Sequence, residues 1–249
     1  MLAELRLNLQ TEGELDVYQS SNLHGVIMET INTEYAEKLH GLKLNPYSQH
    51  VEKKDGLEWI ITTYTKEAYD HIISPFTDDR FTDFELTGRD VKVHISDKKL
   101  NIKPKKELMN KFYTEDGERT ICIEFLTSTS FKSNNEYLIF PDLELIYRSL
   151  MKKYSSSCDM TMDDDDTLDE LVRTSRIIKY NLKSSYFPLE KVKIPGFRGD
   201  ITIKITGKQT LVNYARLLFE FGEYSGIGIK CSMGMGAIKI KERSNRNDR

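Results

Sequence analysis

Gln49-His-Val-Glu-Lys-Lys-Asp-Gly-Leu-Glu-Trp-Ile-Ile-Thr-Thr-Tyr64 is the stretch on which the fold turns. Two strand-like runs, Gln49–Lys53 and Leu57–Tyr64, flank Lys54-Asp55-Gly56. Asp-Gly between such runs signals a tight hairpin, because its turn needs positive φ, which Gly takes without steric penalty. Upstream, Leu5, Leu7 and Leu9 alternate along Ala3–Gln10 like one face of a strand. Ser20-Ser21-Asn22 offers a helix cap, and Leu23, Val26, Ile27 and Ile31 recur at helical spacing. Asn32-Thr33 reads as a break and a new cap, followed by a second helical piece, Glu34–His40, with Gly41 suited to its C′ position. Downstream, Lys66–Ile73 is a short helix by pattern, and Phe84–Leu86 and Asp90–Ser96 are strands. The order is β-α-β-β-α-β, a ferredoxin-like unit.

The second half repeats that order. Thr120–Thr127 is a strand, and Phe131–Tyr137 leads toward a helix with Pro141 near its start. Leu143, Ile146, Tyr147, Leu150 and Met151 form an apolar stripe that reads as a core face. Ile177–Tyr186, Glu190–Lys193 and Ile201–Ile205 are strand-like, Thr210–Phe221 is helical, and Ala237–Lys241 is a last strand. The expected class is α+β, with tandem domains at residues 1–112 and 118–242 and a boundary near Asn110–Glu118.

Composition narrows the class. The 249 residues are 39% hydrophobic and 30% charged. No apolar run approaches the ~18 residues of a membrane span. The start of the chain lacks the basic and apolar blocks of a secretory signal. Three distant cysteines, Cys122, Cys158 and Cys231, argue against a disulfide framework and for a reducing, cytoplasmic setting. No metal-ligand spacing is present, so neither a metal site nor a cofactor is expected. The net charge is −3, but seven acids lie within Asp159–Glu170, and without them the remainder carries +4. This acidic run lacks the spacing of a calcium loop and reads as a solvated loop. By contrast, Arg176–Lys208 holds eight Lys/Arg against Glu190 and Asp200. Lys179, Lys183, Lys191, Lys193 and Arg198 surround Tyr180, Tyr186, Phe187 and Phe197. Strand alternation places several cations on one face, with aromatics available for base stacking. Such a strip suits a phosphate backbone or is simply a solvated sheet face.

Gly222–Gly236 holds five glycines in fifteen residues, with Lys230, Ser225 and Ser232. Its Gly228, Lys230, Ser232, Gly234 and Gly236 could cradle a phosphate on backbone N–H groups; a glycine-rich connection between helix and edge strand is the plain alternative. It does not match a nucleotide P-loop. Of five histidines, His50, His71 and His94 read as surface or satisfied core residues. His40 sits at a helix C-terminus, where the dipole favours imidazolium. Lys43, Tyr47 and Ser48 follow it. An imidazole beside a cation and a phenol is a kit for phosphodiester chemistry, although a helix-end histidine alone needs no function. His24 could join His40 only if the chain breaks at Asn32-Thr33, since one straight helix would hold the two about 24 Å apart.

The chain resembles the CRISPR-associated endoribonucleases that process precursor CRISPR RNA, within the repeat-associated mysterious protein (RAMP) superfamily. Gly226-Ile-Gly-Ile-Lys-Cys-Ser-Met-Gly-Met-Gly236 looks like the superfamily's Gly-rich signature. Leu23-His-Gly-Val-Ile-Met28, Tyr35-Ala-Glu-Lys-Leu-His-Gly41 and Leu182–Pro195 carry the rest. With Phe140-Pro-Asp142, the combination is most similar to the branch accompanying type III-A (Csm) systems. The resemblance implies two ferredoxin-like domains and metal-independent cleavage within the repeat. The ribose 2′-OH would attack the adjacent phosphate and leave a 2′,3′-cyclic phosphate and a 5′-OH. It implies His40 as the catalytic histidine, Lys43 as the loop lysine, and the Gly-rich loop as a wall of an inter-domain cleft. A tyrosine that some members place in the first helix falls near Met28 here, leaving His24, Tyr35 or Tyr47 as the third partner. Implied partners are repeat RNA and, transiently, a type III effector complex, with the chain a monomer or homodimer. The alternative is a non-catalytic RAMP subunit that holds RNA.

Overall fold

The computed structural model describes residues 1–11, 20–53, 55–86, 91–158, 164–189 and 192–241. Its first half is built on β1 (Leu2–Thr11), whose Ala3, Leu5, Leu7 and Leu9 point inward and are buried. Burying a leucine is worth about 1.5–3 kcal/mol, so this alternation fixes which face the helices cover. Helix α1 (Ser20–Thr30) lays Leu23, Val26 and Ile27 on that face. Helix α2 (Thr33–Gly41) adds Tyr35 and Leu39. The expected hairpin forms as β2 (Tyr47–Lys53) and β3 (Leu57–Thr63), with Lys53 opposite Leu57. Next, Lys66–Ala68 runs through a π turn at Tyr69–Ile73 into Ser74–Thr77, which together form α3. The π turn absorbs Pro75, whose missing N–H breaks the regular α ladder. Strands β4 (Asp83–Leu86) and β5 (Val91–Lys103) complete a sheet of order β2-β3-β1-β5-β4. Without β4 this is the ferredoxin-like arrangement. The expected end of β5 at Ser96 is too early, because the strand follows β1 to the pair Leu2–Lys103.

Helix α4 (Lys105–Thr114) comes next and buries Leu108 in the second core, although it lies largely within the expected first domain. The second half opens with β6 (Thr120–Thr129). The run expected to lead into a helix is instead a hairpin of β7 (Phe131–Ser133) and β8 (Glu136–Leu138), turned by Asn134 and Asn135 at φ 50° and 65°. Asparagine tolerates this left-handed region better than most residues. Helix α5 (Leu143–Ser156) is capped by Asp142, which displaces Pro141 to the residue before the cap. Helix α6 (Asp165–Thr174) leads into a long hairpin, β9 (Ser175–Leu189) and β10 (Val192–Ile205). Helix α7 (Gln209–Ser225), a 3₁₀ turn at Cys231–Met233 and β11 (Ile238–Lys241) finish the chain. The sheet order β11-β6-β10-β9 again matches the ferredoxin-like pattern.

The two cores meet along α7. Tyr64 from the first half packs on Phe221 of α7, ring centroids 5.2 Å apart. Hydroxyls of Ser48 and Thr62 donate to the Tyr224 carbonyl at 3.2 and 2.6 Å. The end of α7, and so the start of the Gly-rich loop, is therefore pinned to the first sheet. Among the described residues, no helix is long and apolar enough to cross a membrane.

Candidate active site

The break between α1 and α2 comes from one side chain. Asn32 Oδ1 accepts from the N–H groups of Glu34 at 2.8 Å and Tyr35 at 3.3 Å, starting a new helix where α1 stops. This elbow brings His24 on α1 and His40 on the last turn of α2 to one locality. The charge of His40 acts directly on the His24 ring.

The Gly-rich loop arrives at the same place from the far end of the chain. Asn45 Nδ2 donates to Ser232 Oγ at 3.0 Å. Tyr47 Oη lies 2.8 Å from His24 Nδ1, with the rings nearly parallel. His24 also makes a backbone hydrogen bond with Ser232, and Lys230 acts on it by charge. Burial is the main force holding His24 below the ordinary imidazole value, and its charge interactions with His40 and Lys230 add to it. The backbone of Ser232 opposes this shift. Burial pushes the Tyr47 phenol well above its usual value, so it stays a hydroxyl near neutral pH. His24 is thus a neutral ring near pH 7, held by the Tyr47 phenol and the backbone at Ser232. His40 and Lys43 are exposed and have no hydrogen bond or ion pair among the described residues. Tyr35 is turned into the first core and stacks on His71 at 4.3 Å.

Within the loop, the glycines do internal work. Gly228 donates to Ser149 Oγ at 3.0 Å and Gly236 to the Ser128 carbonyl at 3.1 Å. A β carbon at Gly228 would stand 2.3 Å from the Ser130 carbonyl oxygen, and at Gly236 2.0 Å from that of Ile227. Both have positive φ. Gly234 is buried and donates to the Cys231 carbonyl. The N–H groups of Ile227, Ile229, Met233 and Met235 are also spent inside the protein. Those of Lys230, Cys231 and Ser232 meet no acceptor among the described residues, and Lys230 itself is exposed.

A profile for the CRISPR-associated endoribonuclease Cas6 matches residues 123–238, which run from β6 to β11. A CRISPR-associated endoribonuclease Cas6 from Mycobacterium tuberculosis (strain CDC 1551 / Oshkosh) is 34% identical over 251 residues, spanning 98% of this chain and 80% of that one. A Streptococcus thermophilus protein of the same description is 35% identical over 225 residues, 89% of this chain and 91% of that one. This chain belongs to the Cas6 family. It is a CRISPR-associated endoribonuclease. A solved Cas6 product complex shares the fold, with a TM-score of 0.81 at 17% identity over 97% of this chain and 99% of that one.

In this Cas6 chain the basic hairpin only partly obeys the expected alternation. Lys183 faces Arg198 directly across β9 and β10, and Lys179, opposite Thr202, lies on the same face. Lys193 pairs with Pro188 and falls on the other face. Lys191 lies outside the described residues. Lys183 and Arg198 line a hollow of about 490 Å³ with Ser184, Ser185 and Tyr186. Like charges directly opposite one another in a ladder are destabilising without an anion between them, and neither has an acidic partner among the described residues. Nearer the tip, on that same face, Phe187 and Ile194 pack against Met235 of the Gly-rich loop. The cation row therefore leads to the loop. Sequence reasoning passed over Asn45 and Lys153, which fasten the loop from its two sides. Lys153 had a legible signal, since it falls three residues after Leu150 of the core stripe.

Proposed function

We propose that this Cas6 chain cleaves precursor CRISPR RNA within its repeats by attack of a ribose 2′-OH on the adjacent phosphate, without a metal. The products are a 2′,3′-cyclic phosphate and a 5′-OH. What carries this reading is the meeting of His24, His40 and Tyr47 with the Lys230–Ser232 segment, from opposite ends of the chain. Transesterification needs a base for the 2′-OH, an acid for the departing 5′-oxygen, and positive charge for the phosphorus-bound oxygens. His40, exposed and unengaged, is the proton-transfer residue. His24 and Tyr47 form a neutral, hydrogen-bonded pair that completes the relay. Lys43 and Lys230 supply charge, and the amides of Lys230, Cys231 and Ser232, which meet no acceptor among the described residues, are the donors assigned to a phosphate oxygen. The glycines Gly228, Gly234 and Gly236 shape this wall from within. Lys179, Lys183 and Arg198 carry the RNA backbone toward it.

The test is cleavage of repeat RNA in EDTA. Wild type should cut, His40→Ala should not, and a 2′-deoxy nucleotide at the scissile position should block wild type. Cutting by His40→Ala at the wild-type rate would remove His40 from the mechanism.

A further inference from the structure

Beneath the Gly-rich loop lies a lysine that cleavage leaves unused. Lys153 on α5 is 5% exposed. Its Nζ donates to the carbonyls of Gly226 at 2.9 Å and Ser225 at 3.2 Å, lies 3.5 Å from the Gly228 carbonyl, and stands 3.0 Å from Cys231 Sγ. No carboxylate reaches it among the described residues. A buried ammonium with no counter-ion is costly unless its hydrogens are satisfied. Here the carbonyl-rich C-terminus of α7, which carries partial negative charge, takes the counter-ion's place. One turn earlier on α5, on the same side of the helix, Ser149 Oγ receives the Gly228 N–H. Helix α5 thus grips the loop by its carbonyls and by one amide.

We propose that Lys153 is a positioning residue for the Gly-rich loop. Its ammonium gathers the loop carbonyls inward, and the segment that follows, Lys230–Ser232, is thereby presented to the His24 side. Chain geometry links the two, since Cys231 both contacts Lys153 and begins the turn whose Ser232 meets Asn45 and His24. The inference rests on the RNA reading only for what the loop binds, not for how the loop is held.

The experiment compares Lys153→Met and Lys153→Arg with wild type in the full chain. Hydrogen exchange without RNA should be about tenfold faster at residues 226–236 in Lys153→Met, with β3 unchanged, because local opening leaves other units closed. Lys153→Arg, which keeps a cation and donors, should return the loop to within about threefold of wild type. Affinity for repeat RNA carrying a 2′-deoxy scissile nucleotide should fall about tenfold in Lys153→Met, the scale of one charge-assisted hydrogen bond. Unchanged loop exchange, or acceleration spread equally over both halves, would overturn the role. A loosened loop with unchanged affinity would uphold it and overturn the loop as an RNA wall. Should Lys153→Met not fold, the same measurements on Lys153→Gln decide, with selective loosening again expected.

Discussion

The two halves of this molecule share a strand order and differ in where they depart from it. In the first half, the connection after β1 is split into two short helices by Asn32, and its helices carry His24 and His40. In the second half, the connection after β6 is a short hairpin, β7 and β8, followed by the helices α5 and α6, and the loop that meets the histidines comes at the other end, where α7 reaches β11. Titratable side chains lie in the first departure and backbone donors and cations in the second. On the proposed mechanism, one scaffold used twice keeps the proton-transfer histidines in the first half and most of the phosphate-holding groups in the second. The comparison predicts that first-half substitutions act on the chemical step and second-half substitutions on binding.

The hardest blow to that division would come from His40→Ala. Its single-turnover rate should fall by about 10²–10⁴, the range for a lost general acid or base, while affinity for uncleavable repeat RNA stays within about threefold. A large loss of affinity would show that the first half also holds RNA. Next comes Gly236→Ala, which forces a β carbon against a carbonyl oxygen at positive φ. It should cost about 2 kcal/mol of stability in denaturant titrations and weaken RNA binding, with the saturated cleavage rate nearly kept. A smaller effect is expected of Lys183→Ala, which should weaken binding to all RNA sequences alike and lower the slope of log affinity against log salt by about 1.

The subtlest test crosses between the halves. Lys230→Ala removes a positive neighbour of His24, so the His24 titration followed by NMR should move up toward the ordinary imidazole value. The sign for stability follows from linkage. With its folded value depressed, His24 binds protons more readily in the unfolded chain, so it withdraws stability as pH falls through about 6.5. Lys230→Ala should shrink that acid-side loss. An unmoved His24 titration would mean that the loop lysine and the histidine do not share a site.

Much of this was legible because local chemistry agreed with tertiary need. The leucine alternation of β1 and the asparagine break between α1 and α2 formed as their residues dictate, and the hairpin closes around Asp55-Gly56, although Gly56 does not take the positive φ that an Asp-Gly turn would use. Lys43, His40 and the glycines stood out by type and spacing. Other features depended on partners far away in the chain. The continuation of β5 past Ser96 is set by pairing with β1, not by its own polar sequence Asp97-Lys98-Lys99. The Asn134-Asn135 turn looked like a helix lead-in because asparagine also caps helices. Its spacing from Leu150 places Lys153 on the core side of its helix, but nothing local announces the carbonyls of residues some seventy positions later that surround it. Asn45 met Ser232 across 187 residues, a contact no local pattern encodes.

That last contact has a consequence for how the chain is made. A ribosome produces His24, His40 and Asn45 well before it reaches Ser232. At about 5–20 residues per second the interval is roughly ten to forty seconds. Through that interval the nascent first half stands without the Gly-rich loop that meets Asn45 and His24 in the finished protein. On the proposed mechanism, a chain that stops before Ser232 would carry the proton-transfer histidine without the loop proposed to hold the scissile phosphate.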